Sequence, residues 1–259
     1  MIVVPRPIRR RAFGFVQRAD FAKPPSGGGG SALPSGADFL YEPANLSGTD
    51  GNAATGWANG GAATSADLVA GPNGAGIYRA TAGPNGGPCI DFTTGWQGMV
   101  ATAAAHSYDG SDCTVFVVAK FTASKFTGTT KRHPFYIYDT NQMRLEVTSN
   151  SGAAVDMAFR SATTTAGGTN MTDGAWLTRG FVKNQTAGKV TPYIEGVQGT
   201  PATHANITVT SPSYVGIGAY LTTYAPWLGE VAWVGFWPRA LTDEECGEVD
   251  AYLNSLLGV

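Results

Sequence analysis

The sequence predicts an all-β fold: an antiparallel β-sandwich with one C-terminal helix and an extended N-terminal arm. Three observations carry that expectation. Runs of β-branched and aromatic residues recur between Gly, Pro, Asn and Ser clusters from residue 89 to residue 237, the pattern of short strands joined by turns. Only 14% of the 259 residues are charged while Gly numbers 35, a composition that suits tight turns better than amphipathic helices. A capped amphipathic helix is legible only at the end of the chain, over residues 242–257.

The first 30 residues carry Arg6, Arg9, Arg10, Arg11, Arg18 and Lys23 against Asp20, a balance of +5. The remainder holds 11 cations and 18 anions, or −7, so a cationic arm precedes an acidic body. Residues 1–25 interleave prolines with Phe13, Phe15, Val16 and Phe21, too apolar a mixture for an idle tail. Guanidinium forks clamp carboxylates and phenyl rings fill pockets. Arg6, Arg9, Arg10, Arg11, Phe13, Phe15, Arg18 and Phe21 are therefore the candidate docking residues for a protein partner. The glycine run Ser26-Gly27-Gly28-Gly29-Gly30-Ser31 reads as a flexible joint, which places a linker at 26–36 and the sandwich at 37–259.

Strands are expected at Cys89–Phe92, Cys113–Phe121, Phe135–Asp139, Met143–Thr148, Val155–Arg160, Trp176–Lys183, Val190–Val197, Tyr214–Gly218 and Val231–Trp237. Phe135-Tyr136-Ile137-Tyr138 and Met143-Arg144-Leu145-Glu146-Val147 alternate, with one face expected in the core and the other wetted. Gly71-Pro72-Asn73-Gly74 and Gly83-Pro84-Asn85-Gly86 read as hairpin turns, because Pro presets φ and Gly accepts positive φ. In the helix, Thr242 and Glu245 form a capping box, and Cys246, Val249, Leu253 and Leu256 share the face that should pack across the sandwich.

Cys89, Cys113 and Cys246 form no CxxC pair and leave one over, so they are expected as free, mostly buried thiols. The N-terminus lacks the roughly 7–15-residue apolar core of a secretory signal. No stretch approaches the roughly 20 apolar residues of a membrane span. The chain is thus expected to be made in the cytoplasm without a membrane partner, and the acidic body argues against nucleic acid.

Catalytic signatures are missing. No ExDxxE strand supplies paired carboxylates for glycoside hydrolysis, no GxSxG elbow is present, and His106, His133 and His204 lack HExxH spacing. A non-enzymatic protein is expected, with no cofactor. Calcium is the one cation to consider, through Asp50, Asn52, Asp109 and Asp112, although Asp and Asn at these positions read first as turn formers. Trp176, Trp233 and Trp237 fall in expected strands and read as core. Trp57, Trp96 and Trp227 sit beside Gly or Pro and are the candidates for stacking on a sugar ring. The sequons at Asn45, Asn170, Asn184 and Asn206 read as accidents of a Thr-rich chain.

Four ordered segments resemble the concanavalin A-like, laminin-G-like jelly-roll superfamily. Gly86-Gly87-Pro88-Cys89-Ile90-Asp91-Phe92 resembles its glycine-rich lead-in to a strand, and Cys113–Phe121 its first long core strand. Gly174-Ala175-Trp176-Leu177 and Thr191-Pro192-Tyr193-Ile194-Glu195-Gly196 resemble its tryptophan strand and the hairpin that ends in an acidic-Gly turn. Gly229–Trp237, then Pro238-Arg239-Ala240-Leu241-Thr242-Asp243-Glu244-Glu245, follows its closing strand, Arg-Ala-Leu-Thr corner and terminal helix. The resemblance implies a jelly roll of the kind found in bacteriophage virion proteins, and little chemistry. The expected function is a virion structural protein, a capsid decoration or fibre, docked by its arm to a capsid or other virion protein and displayed as a homo-oligomer. The alternative is a carbohydrate-binding, lectin-like adhesion module that meets host-surface glycans through many weak contacts.

Overall fold

The computed structural model describes residues 32–93, 97–122, 132–138, 142–150, 154–161, 164–172, 174–205, 207–218 and 227–259. The first strands are short: β1 (Phe39–Tyr41), β2 (Leu46–Ser47), β3 (Gly56–Trp57), β4 (Val69–Ala70), β5 (Ile77–Arg79) and β6 (Cys89–Asp91). Longer ones follow in β7 (Met99–Ala104), β8 (Cys113–Phe121), β9 (Phe135–Tyr138), β10 (Gln142–Asn150), β11 (Ala154–Ser161), β12 (Thr164–Met171) and β13 (Leu177–Asn184). The chain ends through β14 (Lys189–Ile194), β15 (Val197–Gln198), β16 (Ala202–Thr203), β17 (Ser213–Ile217), β18 (Gly229–Trp237) and α1 (Asp243–Leu257).

Among the described residues two antiparallel sheets form the body. One runs β15-β14-β13-β8-β18-β6-β5, with β1 beside β18 and β16 beside β14; the other runs β12-β11-β10-β9-β17-β7-β4. The strands expected from the sequence are present, Cys113–Phe121 to the residue. The expected strand at 190–197 breaks at Glu195 and Gly196, both at positive φ, where a two-residue turn joins β14 to β15.

Alternation places one face of each sheet in a shared core, where Phe39, Phe121, Phe135, Phe159, Phe181 and Phe236 are buried together. The ring of Phe236 packs on those of Phe39, Tyr108 and Phe135 at centroid distances of 5.6, 5.1 and 6.1 Å. In β18 the register slips between Val231 and Trp233. The bulge reverses the alternation, so that Val231 and Val234 reach the inner core while Ala232 and Trp233 join the cluster on the opposite face.

That opposite face is covered by α1. Thr242 Oγ1 accepts from Glu245 N at 3.2 Å and Glu245 Oε2 accepts from Thr242 N at 2.9 Å, the capping box read in the sequence. Cys246, Val249 and Leu253 pack on Phe116, Val118, Trp233 and Trp237, while Gly258 ends the helix in the left-handed region. All three cysteines are free and buried.

The two Gly-Pro-Asn-Gly segments differ from the expectation of two hairpins. Gly83–Gly86 lies in the connection between the paired strands β5 and β6. Gly71–Gly74 is a tight turn after β4, and the next strand, β5, belongs to the other sheet. Among the described residues of the 26–36 segment, Pro34 O accepts from Trp237 Nε1 at 2.9 Å and Ser35 O from Arg239 Nη2 at 3.2 Å, so this stretch is fastened to the body.

Candidate functional site

The two outer faces of the sandwich are treated differently. Helix α1 covers one, and the outer face of the seven-stranded sheet carries polar and aromatic side chains instead. Because Phe135, Ile137, Met143, Leu145, Met157, Phe159, Val215 and Ile217 point into the core, their neighbours along each strand point outward. Register then aligns one cross-strand row: Val69 opposite Val100, Val100 opposite Gly216, Gly216 opposite Tyr136, Tyr136 opposite Arg144, and Arg144 opposite Arg160. Beside this row Tyr214 stands opposite Tyr138.

Tyr136 is 1% exposed and lies over Gly216, where a Cβ would fall within its ring. A residue without a side chain is therefore required beneath it. Tyr138 packs against the Val100–Tyr136 pair, and Tyr214 is 40% exposed, one of the few large exposed apolar side chains among the described residues. The tyrosines thus form a graded surface from a buried ring to an open one.

At the other end of the row Glu146 organises the charges. Arg160 Nη1 donates to both of its carboxylate oxygens at 2.9 Å and Arg144 Nε to one at 3.2 Å. His133 Nε2 lies 3.9 Å from the same carboxylate. Side-chain exposure is 3% at Glu146, 9% at Arg144 and 18% at Arg160. Burial, with help from the neighbouring guanidiniums, holds the His133 imidazole below its ordinary value against the pull of Glu146. The wetted face expected for Tyr136, Arg144 and Glu146 is thus largely enclosed: the carboxylate is compensated by two cations, which makes its burial tolerable.

The tryptophans expected to meet sugar do otherwise. Trp57 and Trp227 are fully buried in the inner core, and Trp57 Nε1 donates to Glu42 O at 2.7 Å, so neither offers a ring face to a ligand. Their Gly and Pro neighbours mark turns, and a turn backbone carries a side chain inward as readily as outward. Trp96 and the arm residues Arg6, Arg9, Arg10, Arg11, Phe13, Phe15, Arg18 and Phe21 lie outside the described residues. Of the tryptophans read as core, Trp233 and Trp237 are buried under α1. Trp176 is only partly buried, with the Lys120 ammonium 5.1 Å from its ring centre.

The carboxylates considered for calcium each accept a backbone hydrogen bond. Asp50 Oδ1 accepts from Ala80 N, Asp109 Oδ1 from Ser111 N and Asp112 Oδ1 from Gln185 N. The carbonyls of Gly110 and Ser111 accept from the buried Lys183 ammonium, an internal cation at the loop. Among the described residues no three His, Cys, Asp or Glu side chains gather as a metal site. Two carboxylates stand opposite each other on the helix-bearing sheet, Asp91 and Glu230. Asp91 is held by Arg79 at 2.9 Å and by Thr93, which keep its carboxyl below the usual range despite burial, and Glu230 is paired with Lys120 at 2.9 Å.

Tyr138, Tyr214, Arg144 and Arg160 were not singled out as site residues from the sequence. Alternation in Phe135–Tyr138 marked Tyr138 as outward, but the pairing with Tyr214 needs a register that joins strands distant in the chain.

No protein-family model matches the chain, and no curated protein matches it in sequence. Its fold is similar to the receptor binding domain of botulinum neurotoxin D, with a TM-score of 0.55 at 9% identity, covering 83% of this chain and 52% of that one. A serotype D ligand binding domain in complex with N-acetylneuraminic acid gives 0.52 at 9% identity, over 82% and 50% of the two chains. A Trypanosoma rangeli sialidase gives 0.50 at 12% identity, over 91% and 36%. The chain therefore spans about half or less of these proteins (52%, 50% and 36%). What the likeness shows is the fold, a jelly-roll β-sandwich, here with one C-terminal helix.

Proposed function

We propose that the sandwich is a non-catalytic, glycan-binding, lectin-like module whose site is the outer face of the seven-stranded sheet. The observation that carries this reading is the cross-strand pair of Tyr214 and Tyr138 beside the Arg144–Glu146–Arg160 network. A half-open tyrosine ring matches the apolar face of a pyranose, and guanidinium donors match its hydroxyls. Fold neighbours that include a domain in complex with N-acetylneuraminic acid support the reading by analogy of architecture alone. Titration of the full chain against an oligosaccharide panel tests it. Tyr214→Ala should weaken binding roughly three- to tenfold. A silent panel, or an unaffected variant, would overturn the reading.

The module acts without hydrolysis and without a metal. Asp91, Glu146 and Glu230 are each paired with cations, so none stands as a ready proton donor for glycoside hydrolysis. Glycosidase assays should stay flat and binding should survive chelation.

The arm favours a second component of the reading, attachment of the module to a larger assembly such as a bacteriophage capsid or fibre. Its +5 charge, its phenylalanines and the glycine run behind it suit docking followed by projection of many copies. Deleting residues 1–25 should abolish incorporation into the particle and spare the affinity of the free chain for glycan. Undiminished incorporation would remove the virion role and leave the binding module.

A further inference from the structure

We infer that residues 109–112, between β7 and β8, form an oxygen-lined cation site whose occupant is the ammonium of the chain's own Lys183, a tethered ion in the place that a free hard cation would take. The inference is independent of the glycan-binding reading and concerns a different part of the body.

Lys183 stands near the end of β13, directly opposite Cys113 at the start of β8. Leu177 and Phe181 of the same strand point into the inner core, so alternation sends Lys183 there too, and it is 1% exposed. An ammonium without partners in such a place is costly, and an apolar side chain of similar length would fill the space without that penalty. What compensates the charge is oxygen. The carbonyls of Gly110 and Ser111 both accept from Lys183 Nζ. Burial presses the ammonium toward its neutral form, and the carboxylates of Asp112 and Asp109 oppose it. Backbone carbonyls beside carboxylates are the donors that a hard cation takes from a loop.

The seat is shaped by contacts in which Lys183 has no part. Gly110 lies at φ 96°, and a Cβ there would fall 2.1 Å from Ile207 O, so this turn of the loop requires glycine. Asp109 Oδ1 accepts from Ser111 N at 2.9 Å, Asp112 Oδ1 from Gln185 N at 2.6 Å, and Asp109 O from Val209 N at 2.9 Å. A carboxylate has about four acceptor sites, so one backbone bond to each leaves capacity for a cation. The same connection is tied to the approach to β17, because Ser211 Oγ accepts from His106 N at 3.0 Å. The seat and the start of the strand that carries Tyr214 are thus parts of one loop assembly.

The test removes the tethered ion and offers a free one. The full chain and its Lys183→Ala and Lys183→Met variants are melted in propylammonium chloride, calcium chloride and, as the control, tetramethylammonium chloride of equal ionic strength. Lys183→Ala removes Cγ, Cδ, Cε and Nζ, the shape of propylammonium, whereas tetramethylammonium has no N–H to donate. Lys183→Ala should melt below the parent and gain about 3–6 °C for each tenfold rise in propylammonium or calcium above its dissociation constant. A gain from either ion that exceeds both the control and the parent's own response is the expected result. Lys183→Met fills the space without a charge, so it should lose stability and gain nothing from either ion. A Lys183→Met chain as stable as the parent, or a Lys183→Ala chain that gains no more from either ion than the parent does, would overturn the inference. If Lys183→Ala does not fold by itself, the yield of folded chain on dilution from urea into propylammonium replaces the melt, and a yield no higher than in the control salt overturns the inference equally.

Discussion

Replacement of Glu146 by Gln isolates the electrostatic argument. The side chain keeps its shape and stays 3% exposed, but the charge that bridges Arg144 Nε at 3.2 Å and Arg160 Nη1 at 2.9 Å disappears. Two guanidiniums on directly opposed residues then face each other with Cβ atoms about 5 Å apart. Breaking a buried ion network by removing one partner costs about 3–5 kcal/mol. For a body of this size each kcal/mol lowers the melting temperature by about 2–4 °C, so Glu146→Gln should fall by roughly 10 °C. Urea unfolding gives the free energy directly. Adding Arg160→Gln should recover part of the loss, since one of two directly opposed like charges is removed with it, and the cycle should show a coupling of about 2 kcal/mol. A cost for Glu146→Gln under about 1 kcal/mol, or additivity of the two changes within about 0.5 kcal/mol, would refute the bridging role.

Three further outcomes follow from other parts of the structure. Thr242→Ala removes the hydroxyl that accepts from Glu245 N and should cost about 1 kcal/mol in urea unfolding. Gly216→Ala places a methyl group where the Tyr136 ring lies and should cost about 1–3 kcal/mol, with glycan affinity falling alongside because the row is displaced. The stability of the chain should fall as pH drops below about 6.5, since the unfolded His133 then takes up a proton that the buried imidazole, with its lowered pKa, resists. His133→Gln should flatten that limb. A second loss, as pH falls from about 4.5 toward 2, belongs to Glu245, whose carboxyl Arg239 and the Thr242 backbone hold down at about 2.

Much of the fold was legible because strands buried on one face advertise their period. Cys113–Phe121 and Gly229–Trp237 are long and apolar, and the terminal helix announces itself through Thr242 and Glu245. The strand Thr164–Met171 was not legible. Its sequence, TTAGGTNM, has two central glycines and no apolar alternation, and it is a strand because β11 supplies a hydrogen-bonding edge. The short strands β1 and β5 are likewise fixed by their neighbours β18 and β6. The bulge in β18 was equally hidden, since the slip at Val231–Trp233 depends on pairing with β8. For the site, composition directed attention to tryptophan, the largest aromatic, and the largest aromatics are also those a core gains most by burying. Trp57 and Trp227 went inward for that reason. The tyrosines and arginines that line the outer face are scattered over residues 136–214, and only register brings them together.

The unequal treatment of the two outer faces bears on why the polar network exists. Helix α1 shows how this chain encloses a sheet face when stability is the object: Cys246, Val249 and Leu253 are laid against Phe116, Trp233 and Trp237. On the other face Arg144, Glu146 and Arg160 occupy positions that apolar side chains would fill with less desolvation cost, and replacing such a trio with well-packed hydrophobic residues is often neutral or stabilising by about 1–4 kcal/mol. If the network is kept for binding, the triple variant Arg144→Met, Glu146→Leu, Arg160→Met should unfold at the same or higher urea concentration than the parent and lose affinity for the oligosaccharides that the parent binds. If the network serves the fold, the variant should lose stability as Glu146→Gln does. Measured side by side, the unfolding midpoint and the affinity separate these cases: a stable variant that binds as tightly as the parent would show that the charges on this face have no part in recognition.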